Sequence, residues 1–342
     1  MPTGFLSRRR ATSLLLGGVA AAASTPARRA RAQVGARALD KLSFQTGWRA
    51  QAEHGGLYQA VGAGIYKEHG LDVEIRPGGP QLDTNALLLS GRVDFIENNM
   101  YGAFNYAREK LPGLAIAAMF QKDLRVLLSH PGVGNDSLPA LKGKPILIAT
   151  AGRQSYWEWL KAKYGYTDDQ AKPYTFNMGP FLADKKLSQQ GFLTSEPFAI
   201  RGAGVEPVIH LLADHGFDNY QAVTMCSPKL ASEKADVVQR FVDATIKGWT
   251  SYLTGDPSPA NALIKRDNPE MSDDKIAYAI ETMKKGGIVG SGDAVKMGVG
   301  AMTGERWHSF YKDMVAVGAQ PAGLDIDSVF TLKFTNKRLG FV

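Results

Sequence analysis

Trp48, His54 six residues on and Tyr58 four beyond that are side chains that can hold a flat molecule. An indole face stacks on a planar ring, worth about 0.5–1.5 kcal/mol beyond area burial, and an imidazole can bond a ring nitrogen. A spacing of four puts His54 and Tyr58 on the same face of a helix, so the two can act together. Each also has an ordinary use: Trp48 can cap a core, His54 can cap a helix start, and Tyr58 can simply pack.

Further candidates stand at places where the chain turns. Gly79, in Gly78-Gly79, precedes a helical stretch and can present backbone N–H groups to an acceptor or phosphate, or can serve an ordinary turn. Asn98, Asn99 and Tyr101 follow a strand end, where amides can read the donors and acceptors of a heterocycle. Gly152, Gln154 and Ser155 open a later helix, and Tyr156 and Trp157 beside them offer either ring surface or core packing. Glu196 follows another strand and is placed to accept from an amino group, since a buried carboxylate needs a partner.

Catalytic signatures are missing. The chain has no G-x-S-x-G elbow, no H-E-x-x-H helix and no G-x-x-x-x-G-K-[ST] loop. His69, His130, His210, His215 and His308 are scattered without metal-ligand spacing, and Cys226 is the only cysteine, so neither a disulfide within the chain nor a cysteine metal cluster is expected. No cofactor and no metal are expected.

The basic balance has a local origin. Forty Lys and Arg against 33 Asp and Glu give +7, but arginines 8, 9, 10, 28, 29 and 31 fall in the first 32 residues, which hold no acid; 34 against 33 leaves +1 for the rest. A nucleic-acid footprint, which needs a clustered basic face, has no support. Ser7-Arg8-Arg9-Arg10, a mild apolar stretch from Ala11 to Ser24 and the small residues of Ala30-Arg31-Ala32 read as a signal peptide over residues 1–32, with paired arginines like those of the twin-arginine route. Its apolar core, about 14 residues, is shorter than the roughly 20 that span a bilayer. With no cysteine near the cleavage region to take a lipid, the mature chain is expected to be periplasmic, freely soluble and monomeric.

The elements that must position these side chains alternate. Leu42–Phe44 reads as a strand, Gly55–Lys67 as a helix ended by Gly70, and Leu71–Ile75 as the next strand. Helices are expected over Gln81–Ser90 and Gly102–Lys110 around a strand at Gly91–Ile96. The rhythm resumes with a strand over Pro145–Thr150, a helix over Gln154–Lys163 and a stretch at Gln189–Phe198 that leads into another short strand, and from Ala231 the chain is mostly helical. This pattern predicts an α/β chain of two parallel-sheet lobes, residues 41–132 with 222–342 and residues 136–216, crossing near 131–136 and returning near 215–223. Loops at the strand ends would then build the site.

The run Gly47 to Ala60, with Trp48, Glu53-His54-Gly55-Gly56 and Tyr58, continuing through Gly64-Ile65-Tyr66-Lys67-Glu68-His69-Gly70-Leu71-Asp72-Val73, resembles the opening of the sulfonate-binding and thiamine-pyrimidine-synthase-like family. Gly91-Arg92-Val93-Asp94-Phe95, Leu141-Lys142-Gly143-Lys144-Pro145 and Val238-Gln239-Arg240-Phe241-Val242 are similar to later landmarks. The resemblance implies a periplasmic-binding-protein type II fold with a two-crossing hinge, and the solute-binding subunit of an ABC importer that works with permease subunits. Trp48 followed by His54 is similar to the branch that binds thiamine-precursor pyrimidines; sulfonate-, nitrate- and flavin-type importers are the neighbouring possibilities. An enzyme branch builds the pyrimidine from pyridoxal phosphate and histidine, using iron and a cysteine-rich motif. Its lysine, four residues after a Val-Asp pair, corresponds here to Asn98, which cannot form a Schiff base, and Phe217–Cys226 stands in place of its cysteine-rich loop. The resemblance therefore implies capture without chemistry.

Overall fold

Alternating apolar residues settle the first strand pair. β1 (Asp40–Gln45) runs parallel to β2 (Leu71–Arg76), with Leu42 opposite Val73 and Phe44 opposite Ile75. This is a computed structural model that describes residues 38–342 apart from 80, 81, 154 and 176, so the expected signal peptide and Gln154 lie outside the described residues.

Eight more strands follow: β3 (Phe95–Asn98), β4 (Leu114–Phe120), β5 (Arg125–Ser129), β6 (Ile146–Ile148), β7 (Ala171–Pro173), β8 (Ser188–Phe192), β9 (Val208–Leu211) and β10 (Gln221–Cys226). They form two five-stranded sheets, ordered β2-β1-β3-β10-β4 and β7-β6-β8-β5-β9. In each sheet one strand, β10 or β5, runs antiparallel to both neighbours, which leaves the other four parallel. That odd strand is the one by which the chain enters from the other sheet. The two sheets thus share one topology without a visible sequence repeat.

The first crossing differs from expectation. Only residues 121–124 separate β4 from β5, and β5 already pairs with β8 and β9, so the second sheet begins at Arg125 and not beyond 131–136. The loop at 130–135 is instead a turn inside the second sheet's half, with Gly132 and Gly134 at φ 71° and 77°. Residues 216–220 make the return.

The helix expected from Gly55 to Lys67 is broken in two, Gly55–Gly62 and Ile65–Glu68, at Gly64, whose φ of 75° suits glycine. A 20-residue helix, Ala235–Thr254, buries Val238, Phe241, Val242, Thr245 and Trp249, spaced to form one stripe. Phe241 stacks on Phe95 with ring centroids 4.0 Å apart, fixing this helix on the first sheet. Its contact with helix Gly55–Gly62 is glycine-dependent. A Cβ on Gly56 would lie 2.2 Å from the Trp249 ring, one on Gly55 2.0 Å from the Tyr252 ring, and one on Gly248 2.2 Å from the Gly56 carbonyl. The Gly55-Gly56 pair of the opening motif is therefore a packing device that fixes where His54 stands.

Candidate functional site

Strand ends of both sheets converge on a cavity of about 350 Å³. From the first sheet's half come Trp48, His54, Glu97 and Asn98; from the second come Arg125, Tyr156, Gln190 and Glu196. A neighbouring space of about 520 Å³ shares Trp48, Gln51, Glu53, Ser195 and Glu196 with it and opens toward Lys275 and Glu270. Both volumes lie in the range of small-molecule sites.

Trp48 is half-buried and lines both spaces. Its loop is held by Gly78, whose N–H donates to the Trp48 carbonyl at 2.8 Å. His54 closes a tight turn, Ala52–His54, and its Nε2 lies 3.1 Å from Glu97 Oε2, which also accepts from the Gly47 amide at 3.2 Å. Burial alone would lower the imidazole's pKa, but the Glu97 carboxylate and its hydrogen bond, with Glu53 nearby, raise it above the ordinary 6.5. Glu97, which burial alone would raise, is held below its ordinary 4.5 by His54 and the Gly47 amide. Both shifts favour an imidazolium–carboxylate couple in this buried wall.

Asn98 and Asn99 reach the wall but are occupied. Asn98 Nδ2 donates to Asn85 Oδ1 at 3.3 Å and its Oδ1 accepts the Asn99 amide at 2.9 Å, while Asn99 Oδ1 caps the helix Met100–Glu109 by accepting from the Gly102 amide at 2.9 Å. On the opposite wall the Tyr156 hydroxyl donates to Gln190 Oε1 at 3.2 Å, and the Arg125 guanidinium lies 5.7 Å from the Tyr156 ring. A Cβ on Gly152 would come within 2.6 Å of that hydroxyl, so glycine lets Tyr156 take this place. Glu196, at the start of the helix Glu196–Gly202, accepts the Phe192 amide at 2.7 Å, and burial raises its pKa.

Five expected residues are placed away from the cavity. Tyr58 is 1 % exposed and donates to Asp267 Oδ2 at 3.0 Å. His54 bonds Glu97 while the Tyr58 hydroxyl is taken by Asp267, so the two do not act together; the helix itself begins only at Gly55, after the tighter turn. Gly79 precedes no helix directly, since the next one starts at Thr84 with Asp83 as its cap. The Tyr101 hydroxyl donates to the Ala319 carbonyl at 3.0 Å within the core. Trp157 follows Tyr156 by about 100° around the helix and so turns inward, its Nε1 donating to Asp168 Oδ1 at 2.9 Å. Ser155 forms the turn before that helix, its amide bonded to the Gly152 carbonyl at 3.2 Å.

Several wall residues escaped the sequence reading. Glu53 and Glu97 sit beside residues that were picked, Arg125 heads an apolar strand that was not recognised, and Gln190 belongs to a polar run, Ser188-Gln189-Gln190, in the interior of a sheet. Polar residues in a buried strand were the available signal. Among the described residues no group of three or more His, Cys, Asp or Glu is disposed to hold a metal ion, and no helix is long and apolar enough to cross a membrane.

The two sheets, each with one reversed strand, and the cleft between them define a periplasmic-binding-protein fold. The periplasmic aliphatic sulphonate binding protein SsuA from Escherichia coli has the same fold, with a TM-score of 0.65 over 84 % of this chain and 91 % of that one at 10 % identity. The chain belongs to the NMT1/THI5-like family, whose match spans residues 51–260. Among curated relatives, the riboflavin-binding protein RibY from Chloroflexus aurantiacus is 22 % identical over 86 % of both chains. The 4-amino-5-hydroxymethyl-2-methylpyrimidine phosphate synthase THI11 from Saccharomyces cerevisiae is 24 % identical over 69 % of this chain and 73 % of its own.

Proposed function

We propose that this protein is the exported solute-binding component of an ABC importer, which captures a flat heteroaromatic solute of the thiamine-precursor pyrimidine kind and hands it to permease subunits without altering it. The observation that carries this reading is the pairing of Trp48 and Tyr156, from opposite halves, on one cavity whose other walls are Gln190, Glu196 and the His54–Glu97 couple. Rings from the two sides enclose a planar solute, while the polar groups fix its edge. Residues 121–124 and 216–220 are the hinge about which the halves close, and closure forms the surface a permease reads.

A larger ring is the second reading. RibY matches across 86 % of the chain, and the two adjoining spaces share Trp48, Glu53 and Glu196, giving room beyond a single ring. Synthase activity is disfavoured because the position of the enzyme branch's lysine is Asn98, already bonded to Asn85.

Tryptophan fluorescence titration of the mature protein with 4-amino-5-hydroxymethyl-2-methylpyrimidine and with riboflavin is expected to show saturable quenching that is lost in Trp48→Ala. Saturable binding of taurine or nitrate with no response to either ring would sink the reading. Iron or pyridoxal phosphate retained on purification would instead favour the enzyme.

A further inference from the structure

Glu53 is the most deeply buried carboxyl of the cleft, 5 % exposed, and lines both adjoining spaces. Its Oε1 accepts the hydroxyl of Thr194, a residue just past β8 in the other half, so this bond spans the cleft. Two residues beyond Thr194, Glu196 lines the same two spaces.

The inner charges around these carboxyls are already matched among themselves, and Lys275 of the outer space, unmatched among the described residues, is exposed. Arg125 pairs with the fully buried Asp123, and His54 with Glu97. At the outer space Arg49 pairs with Glu270 at 3.3 Å, and Lys275 donates to the Glu270 carbonyl at 3.1 Å. Among the described residues neither Glu53 nor Glu196 has an ion-pair partner. Burial raises the pKa of both, and for Glu196 the nearby charge of Glu53 adds to the rise. A third polar group of the wall is open as well: His54, 3 % exposed, has no hydrogen-bond partner at Nδ1.

We propose that Glu53 and Glu196 form a two-carboxyl clamp across the cleft that admits a flat ring bearing N–H donors or positive charge along its edge and turns away oxyanions. Each half supplies one acceptor, so a donor-bearing ring satisfies both only when the halves are together. A sulfonate brings acceptors and no donor, so it satisfies neither carboxyl, and its charge opposes the loss of either proton in a poorly solvated cleft, whereas a donor-bearing ring favours that loss. The clamp rests on the capture reading above and deepens it by naming which edge chemistry is selected.

Isothermal titration calorimetry at pH 7.5 tests it with three probes: 4-amino-5-hydroxymethyl-2-methylpyrimidine, riboflavin and benzenesulfonate. A donor-bearing ring is expected to bind, benzenesulfonate is not, and Glu53→Gln and Glu196→Gln are each expected to weaken the ring about tenfold or more. Glutamine keeps an acceptor for Thr194, and thermal melts confirm that each variant is folded; the more exposed Glu196 provides the test should Glu53→Gln fail to fold. Saturable binding of benzenesulfonate, or undiminished ring binding in the folded variants, overturns the clamp while capture stands. If none of the three probes binds the unaltered protein, the flat-ring reading falls and the clamp falls with it.

Discussion

Asn219 joins the two crossings of the chain: its Nδ2 donates to Asp123 Oδ2 at 2.6 Å, while its Oδ1 accepts the Tyr101 amide at 3.0 Å. Asp123 has no exposed surface and also receives the Arg125 guanidinium and, at 2.9 Å, the Arg125 amide. One carboxylate thus gathers both hinge segments and the first residue of β5. Nearby, Arg306 donates to the Gln121 carbonyl at 2.6 Å and pairs with Asp218 at 2.7 Å, so both segments are also tied to the helix Gly304–Ala316.

Asn219→Ala is expected to remove a donor from a buried charge and leave the Tyr101 amide short of its acceptor. Hydrogen bonds to charged groups contribute about 1.5–3 kcal/mol, so a loss of that order should appear as a lower urea midpoint with an unchanged slope. Asn219→Asp is expected to be worse, because it sets a second carboxylate against Asp123. A neutral result for both would remove Asp123 from its structural role.

Gly248→Ala should destabilise by about 1–3 kcal/mol, since overpacked helix contacts relax only by shifting backbone. The added methyl would fall 2.2 Å from the Gly56 carbonyl and 2.8 Å from the Ala60 Cβ. Because helix Gly55–Gly62 follows His54 directly, the displacement should also weaken ring binding. Gly202→Ala, with open space at its Cβ, serves as the control and is expected to leave ring binding unchanged and stability unchanged or raised by up to about 1 kcal/mol.

Stability should depend on pH in two opposite ways. The raised pKa of His54 gives a contribution that is complete below the ordinary 6.5 and is lost as pH rises through the folded value, whereas the lowered pKa of Glu97 gives one that is present above the ordinary 4.5 and lost as pH falls through its folded value. Glu97→Gln should therefore cost most between those limits. Glu53 and Glu196 act in the same sense as His54 and against Glu97: their raised values mean that the folded chain holds protons the unfolded chain releases, so stability falls as pH climbs above 4.5, by up to about 1.4 kcal/mol per pH unit for each group. Urea titrations from pH 4.5 to 8 should show this slope flattened in Glu53→Gln. An unaltered slope would mean that the buried carboxyl does not retain its proton.

Much of this arrangement was legible in the sequence because strands such as Leu71–Arg76 alternate and helices such as Ala235–Thr254 carry a clear stripe. The second sheet's entry was not, since Gln121 to Leu124 is too short to look like a boundary between halves and β4 and β5 resemble one interrupted apolar run. The site divides in the same way. Trp48, His54 and Glu196, chosen by residue type and position, line the cavity, but Tyr58 depended on acting with His54, and its hydroxyl is taken by Asp267 instead. Arg125 and Gln190 required knowing which strand neighbours which, and β5 and β8 pair only in the folded sheet.

Cys226 sits in the core of the first sheet with no exposed surface, and burial pushes its thiol up to about 12. Thiolate is the reactive form, so Ellman's reagent should leave the native protein untouched and modify one thiol per chain on unfolding. The rate of labelling in mild denaturant then reports global opening of this half. Fast labelling of the native protein would contradict the placement.

Adjacent tryptophan and tyrosine candidates separate into two roles that can be told apart by experiment. Trp157 is 1 % exposed and packs against Tyr166 with centroids 5.7 Å apart, so Trp157→Ala should cost about 3–5 kcal/mol of stability, the range for large aromatic truncations in a core. Where the variant remains folded, its affinity for a ring should be close to that of the unaltered protein, because Trp157 contributes nothing to the cavity wall. Trp48→Ala should show the reverse pattern, with a smaller change in the urea midpoint and a large loss of ring binding, since Trp48 is half-buried and lines both spaces. Tyr156→Phe falls between them: it keeps the ring and removes the hydroxyl that donates to Gln190, so stacking should survive while Gln190 Oε1, still held by the Ala149 amide at 2.6 Å, takes a second donor from the solute or water. Urea melts and fluorescence titrations on the three variants together check the assignment, and loss of ring binding in folded Trp157→Ala with none in Trp48→Ala would reverse it.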